Sequence, residues 1–260
     1  MTAYAAVVLA GGAARRMGGR DKPAVPVHGR PMRDRVLAAV ADAVPRVLVG
    51  SGGSLPADVL VTREEPAGGG PVAATAAGLA LLGPDTTVVA LLAADLPLLS
   101  RPAVGVLLDA LAAGSGPGAA DGVCLLDDRG RRQPLCGVWR VSPLRAALDR
   151  VAARRAEEIE RAGCTGQAVP VDGAGPVGTG DGAGPVGTGD RSGTVGTGEG
   201  ARPVGTGEGA GRVGALAGAS MRELLGELNV RELVWSAAGP PPWFDCDTDA
   251  DVRRAEEWKR

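Results

Sequence analysis

An apolar, β-rich run over residues 4–9 opens into Leu9-Ala10-Gly11-Gly12-Ala13-Ala14-Arg15-Arg16-Met17-Gly18-Gly19-Arg20-Asp21-Lys22. A strand that runs into small residues and then cations suits a phosphate. Missing side chains let backbone N–H groups approach the anion, and basic residues neutralise its oxygens. The spacing matches neither of the two commonest phosphate loops. A Walker A loop needs G-x-x-x-x-G-K-[ST], but Gly18 is followed by Gly19 and Arg20, and Gly11, Gly12 and Gly18 do not make G-x-G-x-x-G. Lys22 stands out by its rarity. Of 28 basic residues only Lys22 and Lys259 are lysine, so a chain that otherwise uses Arg places a compact ammonium just after this loop. Spacing alone leaves open an ordinary βα turn and a solvated lysine.

A second group of residues is Ala93-Ala94-Asp95-Leu96-Pro97-Leu98. It ends the run TTVVALLA over residues 86–93, a continuous apolar stretch of the kind buried on both faces of a central parallel strand. A carboxylate leaving the carboxyl end of such a strand, with a proline behind it, is placed to hold Mg²⁺ on phosphate oxygens. The structural alternative is a turn or helix N-cap, because Ser100 and Pro102 soon start a helix. His28, the only histidine, sits among loop residues with no partner for acid–base work.

The elements that must position these residues alternate along the chain. Strand-like segments cover 4–9, 46–49, 59–61, 86–93, 122–126, 134–139 and 230–235, and helical spacing covers 31–44, 71–82, 102–113, 143–161 and 221–228. Such alternation predicts a three-layer α/β/α sandwich with a mostly parallel sheet, whose site lies beyond the carboxyl ends of the strands. The interleaved charges over 150–161 read as a solvated helix face. Trp139, Trp235, Trp243 and Trp258 read as core or rim packing, with Trp243, beside Phe244 and Asp245, the best candidate for stacking on a ligand.

Composition bounds the function classes. A net charge of -2 and 45% hydrophobic residues describe a folding chain without the positive excess that grips nucleic acid. Cys124, Cys136, Cys164 and Cys246 are scattered with no C-x-x-C pair, which predicts reduced cytoplasmic thiols. No stretch approaches the roughly 18 apolar residues that would span a bilayer, so no membrane partner is expected. The Gly and Pro excess is local to residues 164–218, where VGTG recurs from Val177, Val186, Val195 and Val204, with a decayed copy at Val213. A calcium-binding β-roll would need G-G-x-G-x-D-x-apolar order, and the copies lack both that order and its large apolar residue. The segment is expected to be a disordered low-complexity insert, since its apolar surface cannot offset the entropy of ordering it.

The string LAGGAARRMGGRDK resembles the nucleotide-binding signature of the molybdenum cofactor guanylyltransferase family, within the wider nucleotidyltransferases that share an LAGG or LAAG loop, R-M-G and a downstream Lys. Further pieces follow in the family's order. His28-Gly29-Arg30-Pro31-Met32 matches G-x-P-[LM], Gly70-Pro71-Val72-Ala73-Ala74 is similar to G-P-L-A-G, and Asp95-Leu96-Pro97 matches D-x-P. Gln133-Pro134-Leu135 with Gly137 is similar to a later strand, and Asp245-Cys246-Asp247-Thr248-Asp249-Ala250-Asp251 resembles N-x-N-T-P-E-D. The resemblance covers residues 4–163 and 219–258. It implies one Rossmann-like nucleotidyltransferase domain, residues 1–163 with 219–260, interrupted by the insert.

The implied activity is Mg²⁺-dependent transfer of GMP from GTP to molybdenum-bound molybdopterin, with pyrophosphate released. Small-molecule partners would be GTP and that acceptor, and molybdoenzymes or their chaperones would follow. By resemblance Leu9, Ala10, Gly11 and Gly12 contact the nucleotide, Lys22 binds its phosphates, and Asp95 meets both nucleotide and Mg²⁺. A family carboxylate shortly before G-P-L-A-G falls to Glu65, with Glu64 beside it. Such a group could accept from guanine N1–H and N2–H₂, a pairing adenine does not offer. A family Asn after the second strand falls on Gly50, and Asp245 and Asp247 replace Asn, which makes the acceptor pocket more acidic or fits it for a second metal. No general base is needed for an anionic phosphate nucleophile. Alignment and charge neutralisation by Asp95 with its metal, Lys22, Arg16 and loop N–H groups would suffice. Cytidylyl transfer to the same cofactor, guanylyl transfer to phospholactate, and a non-catalytic nucleotide-binding protein are the alternatives.

Overall fold

β1 (Ala5–Ala10) is buried along its whole length, and its alternate residues feed two different cores. Ala6, Val8 and Ala10 join Val36, Leu48, Leu92, Val104 and Leu107 on one face, while Ala5, Val7 and Leu9 join Val47, Val72, Leu91, Leu144 and Val151 on the other. A two-residue period with both faces apolar requires a layer on each side. The computed structural model describes residues 3–11, 21–51, 53–114, 116, 118–164, 214–236 and 239–258.

After β1 the described chain makes a small hairpin, β2 (Pro26–Val27) with β3 (Arg30–Pro31), and then α1 (Met32–Ala39), β4 (Arg46–Gly50) and β5 (Val59–Thr62). α2 (Pro71–Ala80), β6 (Val88–Ala93), α3 (Arg101–Ala113), β7 (Gly122–Leu126), β8 (Arg132–Arg140) and α4 (Val141–Cys164) follow. α5 (Met221–Leu225), β9 (Val230–Val234) and α6 (Asp249–Glu257) complete the order. The seven-stranded sheet has the order β5-β4-β1-β6-β8-β7-β9, in which β8 alone runs antiparallel to its neighbours β6 and β7. α1 and α3 cover one face, and α2, α4 and α5 the other. The expected three-layer sandwich is therefore present.

Local sequence explains most of these elements. α3 is capped by Ser100, whose side chain accepts from the Ala103 N–H, with Pro102 in the first turn. α2 is built of small residues because it lies close against β1 and β4. A Cβ on Gly78 would sit 2.4 Å from Val7 Cγ1 and 3.0 Å from Val49 Cγ2. The helix expected over 31–44 ends at Ala39, and tighter turns through Ala41 and Ala43 lead to Pro45. Pro134, which has no N–H to give a ladder, lies in β8 where the β7–β8 register shifts between Cys124 and Leu125.

The boundary of the insert needs correction. Residues 214–218, expected to belong to it, pack in the domain: Ala215 and Leu216 are buried with Ala219 in the core shared by α2, α4 and α5. Residues 165–213, with the four intact VGTG copies, lie outside the described residues. Among the described residues no helix is long and apolar enough to cross a membrane. Cys124, Cys136 and Cys246 are buried free thiols, and burial pushes Cys136 and Cys246 up to about 12.

Candidate active site

The chain leaves β1 to build β4 and β5 on one side of it, then returns to place β6 on the other. The carboxyl ends of β1 and β6 therefore flank a switch point, where an α/β sheet opens a crevice. Ala94 closes the ladder there by donating to Leu9 O at 2.9 Å, and Asp95 is the next residue out. Leu9 and Ala10 are themselves buried in the two cores, so they face the crevice with backbone rather than side chain. Gly11 stands exposed at the rim.

Lys22 stands at the start of a 3₁₀ turn (Lys22–Ala24) that Pro23 and the bond from Val25 N–H to Lys22 O shape. Its ammonium donates to Asp95 Oδ2 at 2.5 Å and to Asp247 Oδ1 at 2.8 Å. A small third core seats this turn: Val27, Met32, Leu98, Cys246 and Ala255 pack together, with Val25, Phe244 and Val252 against them. Buried Arg35 ties the same pieces, its Nε donating to Pro97 O at 2.8 Å and its Nη1 to Val27 O at 3.3 Å. Cys246 N–H donates to Asp95 O at 3.2 Å, which holds the carboxyl-terminal segment against the loop after β6.

The acidic carboxyl-terminal motif divides into two jobs. Thr248 and Asp251 form a capping box on α6, each side chain bonding the other's backbone N–H. Asp247 faces Lys22, while Asp245 stands at the outer rim. Loss of water around Asp245, then the charges of Asp247 and Asp95, raise its carboxyl above the ordinary carboxylate range. Desolvation would lower the Lys22 ammonium, but Asp95 and Asp247 outweigh it and raise the group, so it stays charged. Among the described residues no three His, Cys, Asp or Glu side chains are grouped to hold a metal ion. An ammonium, that of Lys22, sits between the carboxylates of Asp95 and Asp247.

The two glutamates before α2 separate. A Cβ on Gly11 would lie 3.5 Å from Glu64 Oε1, and that same oxygen accepts from Gly68 N–H at 3.2 Å. Glu65 is exposed, with no hydrogen bond or ion pair to the β1 rim among the described residues. The carboxylate placed at the crevice is thus Glu64, not the Glu65 chosen from spacing. Both glutamates follow the end of β5 in irregular chain, Glu65 at a bend, where spacing to Gly70 does not say which side chain meets the rim. Gly50 ends β4 with φ +132°, and a Cβ there would approach Ala10 C to 2.8 Å and Ala10 O to 2.9 Å. No side chain reaches the crevice from that position. Gly12 and Arg16 lie outside the described residues.

Other candidates take structural places. Trp139 is buried in the core at 1% exposure, and Trp235 and Trp243 pack at the edge of the other core. His28 is exposed on the β2–β3 turn at φ +48°. What sequence reasoning missed was the pairing of Lys22 with Asp247; an acidic residue in a motif next to the last helix was the available signal. An ammonium shared by two carboxylates beside a glycine-rich strand end can pass to a phosphate as a carboxylate passes to a divalent cation.

Residues 6–165 match the family described as the MobA-like NTP transferase domain. A molybdenum cofactor guanylyltransferase of Bradyrhizobium sp. (strain ORS 278) is 31% identical over 169 residues, 62% of this chain and 76% of that protein. One of Rhodobacter capsulatus is 34% identical over 176 residues, 65% of this chain and 84% of that protein. Among solved structures, molybdopterin-guanine dinucleotide biosynthesis protein A from Archaeoglobus fulgidus aligns with a TM-score of 0.52 at 18% identity, covering 97% of this chain and 96% of that one, and so shares the fold. With its strand order, its crevice and a match over most of the sheet, the chain belongs to the MobA-like NTP transferase family and is a nucleotidyltransferase.

Proposed function

We propose that this nucleotidyltransferase transfers GMP from GTP to molybdenum-bound molybdopterin. The observation that carries the reading is Lys22 on Asp95 at the β1–β6 switch point, with the Glu64 carboxylate across the rim at Gly11. The two similar proteins named as guanylyltransferases support the choice of nucleotide and acceptor.

In the proposed reaction an anionic phosphate oxygen of the acceptor forms a bond to the α-phosphorus, and the bond from that phosphorus to the β-phosphate oxygen breaks. Pyrophosphate leaves with that electron pair, so no side chain need move a proton. Ala10, Gly11 and Gly12 would meet the nucleotide through backbone, Lys22 and Arg16 would neutralise phosphoryl oxygens, and Glu64 would accept from guanine N1–H and N2–H₂. Asp95 supplies the hard carboxylate oxygen that Mg²⁺ prefers. Such an ion takes one or two carboxylates and fills its shell with phosphate and water. When bound, Mg²⁺ would spread the charge of the phosphate oxygens. Asp245 and Asp247 would face the acceptor side.

The catalytic domain is proposed to comprise residues 1–164 and 214–260, with 165–213 inserted, and to work in the cytoplasm, passing its product to molybdoenzymes or their chaperones. One observation favours a second reading, cytidylyl transfer on the same scaffold: Gly50 lets no side chain contact the base.

The test is pyrophosphate release with GTP, CTP, ATP or UTP and Mg²⁺, with and without a molybdopterin-type acceptor. Acceptor-dependent release with GTP alone is expected. Release with CTP alone selects the second reading, and no release with any pair despite nucleotide binding refutes the acceptor assignment.

A further inference from the structure

Arg155 lies in the stretch of α4 whose interleaved charges suggest a solvated face, yet its guanidinium is spent on the chain that returns at Gly214. Nε donates to Ala215 O at 3.0 Å, Nη2 to Ala217 O at 3.0 Å, and Nη1 to Glu223 Oε1 at 3.1 Å. Glu223 completes the clamp by accepting from Ser220 N–H and Oγ at 2.7 Å each, the capping box of α5. The clamped turn reaches the loop before α2. Gly218 N–H, at φ +74°, donates to Gly69 O at 2.8 Å, and Gly69 N–H donates to Pro66 O at 3.0 Å. Gly69 is tightly seated, since a Cβ there would press to 3.0 Å on both Ala73 Cβ and Pro66 O. The neighbouring Gly68 N–H then holds Glu64 Oε1. Backbone and hydrogen bonds thus connect the guanidinium to the carboxylate at the Gly11 rim.

We infer that Arg155 is a positioning residue for nucleotide discrimination, acting through Ala217, Gly218, Gly69 and Gly68 on Glu64. The inference rests on the proposed role of Glu64 at the base. A planar fork that binds two carbonyls and a carboxylate together fixes the turn's orientation in a way a single ammonium does not. Arg150 and Arg154 on the same helix supply the control, because both hydrogen-bond Glu227, at 2.8 and 2.5 Å; Arg154 feels the Glu223 charge but takes no hydrogen-bonding part in this series.

The experiment measures equilibrium binding of the Mg²⁺ complexes of α,β-methylene GTP, CTP, ATP and UTP to the full chain, as wild type and as Glu64→Gln, Arg155→Met, Arg155→Lys, Arg154→Met and the Glu64→Gln/Arg155→Met double variant. Arg155→Met is expected to narrow the preference for the best nucleotide about fivefold. The double variant should be no worse than Glu64→Gln alone, because both act on one contact. Arg155→Lys should recover part of the preference and carries the test if Arg155→Met does not fold, while Arg154→Met should match wild type. A wild-type preference in Arg155→Met, or losses that add in the double variant, would overturn the inference. Should wild type bind all four analogues alike, the base reading fails, and amide hydrogen exchange over residues 64–70 decides the clamp. Faster exchange in Arg155→Met than in Arg154→Met upholds it, and equal exchange overturns it.

Discussion

Replacing Lys22 by Met tests the centre of the site, because the side chain is 18% exposed and its ammonium is shared between Asp95 and Asp247. Two costs are expected, and they read out separately. Removing a preorganised charge aimed at the phosphoryl oxygens should cost about 3–4 kcal/mol in the transition state, about 100-fold to 1000-fold in kcat/KM for pyrophosphate release. Stability should fall less. Exposed ion pairs contribute about 0–1 kcal/mol and buried ones cost about 3–5 kcal/mol when one partner is removed, so this half-buried arrangement predicts about 1–2 kcal/mol. For a domain of this size that is a fall of about 3–6 °C in Tm. The sign with pH is also defined. A lysine raised by its partners contributes fully below its unfolded value, near 10.4, and loses that contribution only as pH rises through the folded value. The deficit of the Met variant should therefore persist from pH 7 to 9 and shrink in acid, where protonation relieves the uncompensated carboxylates. Lys22→Arg should restore most of the Tm and less of the activity. Pyrophosphate release within tenfold of wild type in Lys22→Met would refute the phosphate role, whatever happened to Tm.

Glu64→Gln should weaken discrimination among nucleotides while Glu65→Gln leaves it as in wild type; a larger effect at Glu65 would restore the choice made from spacing. Gly122→Ala would place its Cβ 2.0 Å from Trp139 Cε3 in the core, so urea denaturation should show about 2–3 kcal/mol lost, and an unchanged midpoint would contradict the packing. Burial opposes ionisation of Asp127, but bonds from Arg129 N–H, Arg131 N–H and the Arg131 guanidinium outweigh it and lower its carboxyl. Its contribution is present above about pH 4 and lost as pH falls through the lowered folded value. The Tm difference between wild type and Asp127→Asn should accordingly shrink as pH drops from 5 to 3, and a flat difference counts against the assignment. Replacing 165–213 by a short Gly-Ser linker should leave folding and pyrophosphate release within about twofold of wild type; loss of either would assign that segment a role in the catalytic domain.

Much of the site was legible because its signals are local. β1 and β6 announce themselves as apolar runs that only a sheet covered on both faces can bury. Lys22 was marked by its rarity beside a glycine-rich turn, and Asp95 by its place after the most apolar strand. The choice between Glu64 and Glu65 was not legible, since both follow the end of β5 in irregular chain, where no side-chain period says which of them turns to the rim. Nor was Gly214 legible as the point of return, because Ala215 and Leu216 look no different from the repeats until α2, α4 and α5 surround them. Most of the charges over 150–161 are exposed as expected, but periodicity, which separates polar from apolar faces, does not say that Arg155 meets backbone carbonyls rather than water.

From residues alone came the alternation of strands and helices, the two-faced burial of the central strands, the phosphate-seeking loop and the resemblance to a nucleotidyltransferase family. Each depends on patterns within a few residues, where side-chain period and backbone chemistry act directly. Tertiary structure decided that β8 runs against its neighbours, that the chain crosses from one side of β1 to the other, and that Lys22 meets Asp95, 73 residues on, and Asp247, 225 residues on. Those contacts arise because α6 and the β2–β3 hairpin bury Val27, Met32, Leu98, Cys246 and Ala255 together. Hydrophobic burial is non-directional along the chain, so which distant charges it carries into contact is settled only when the layers pack.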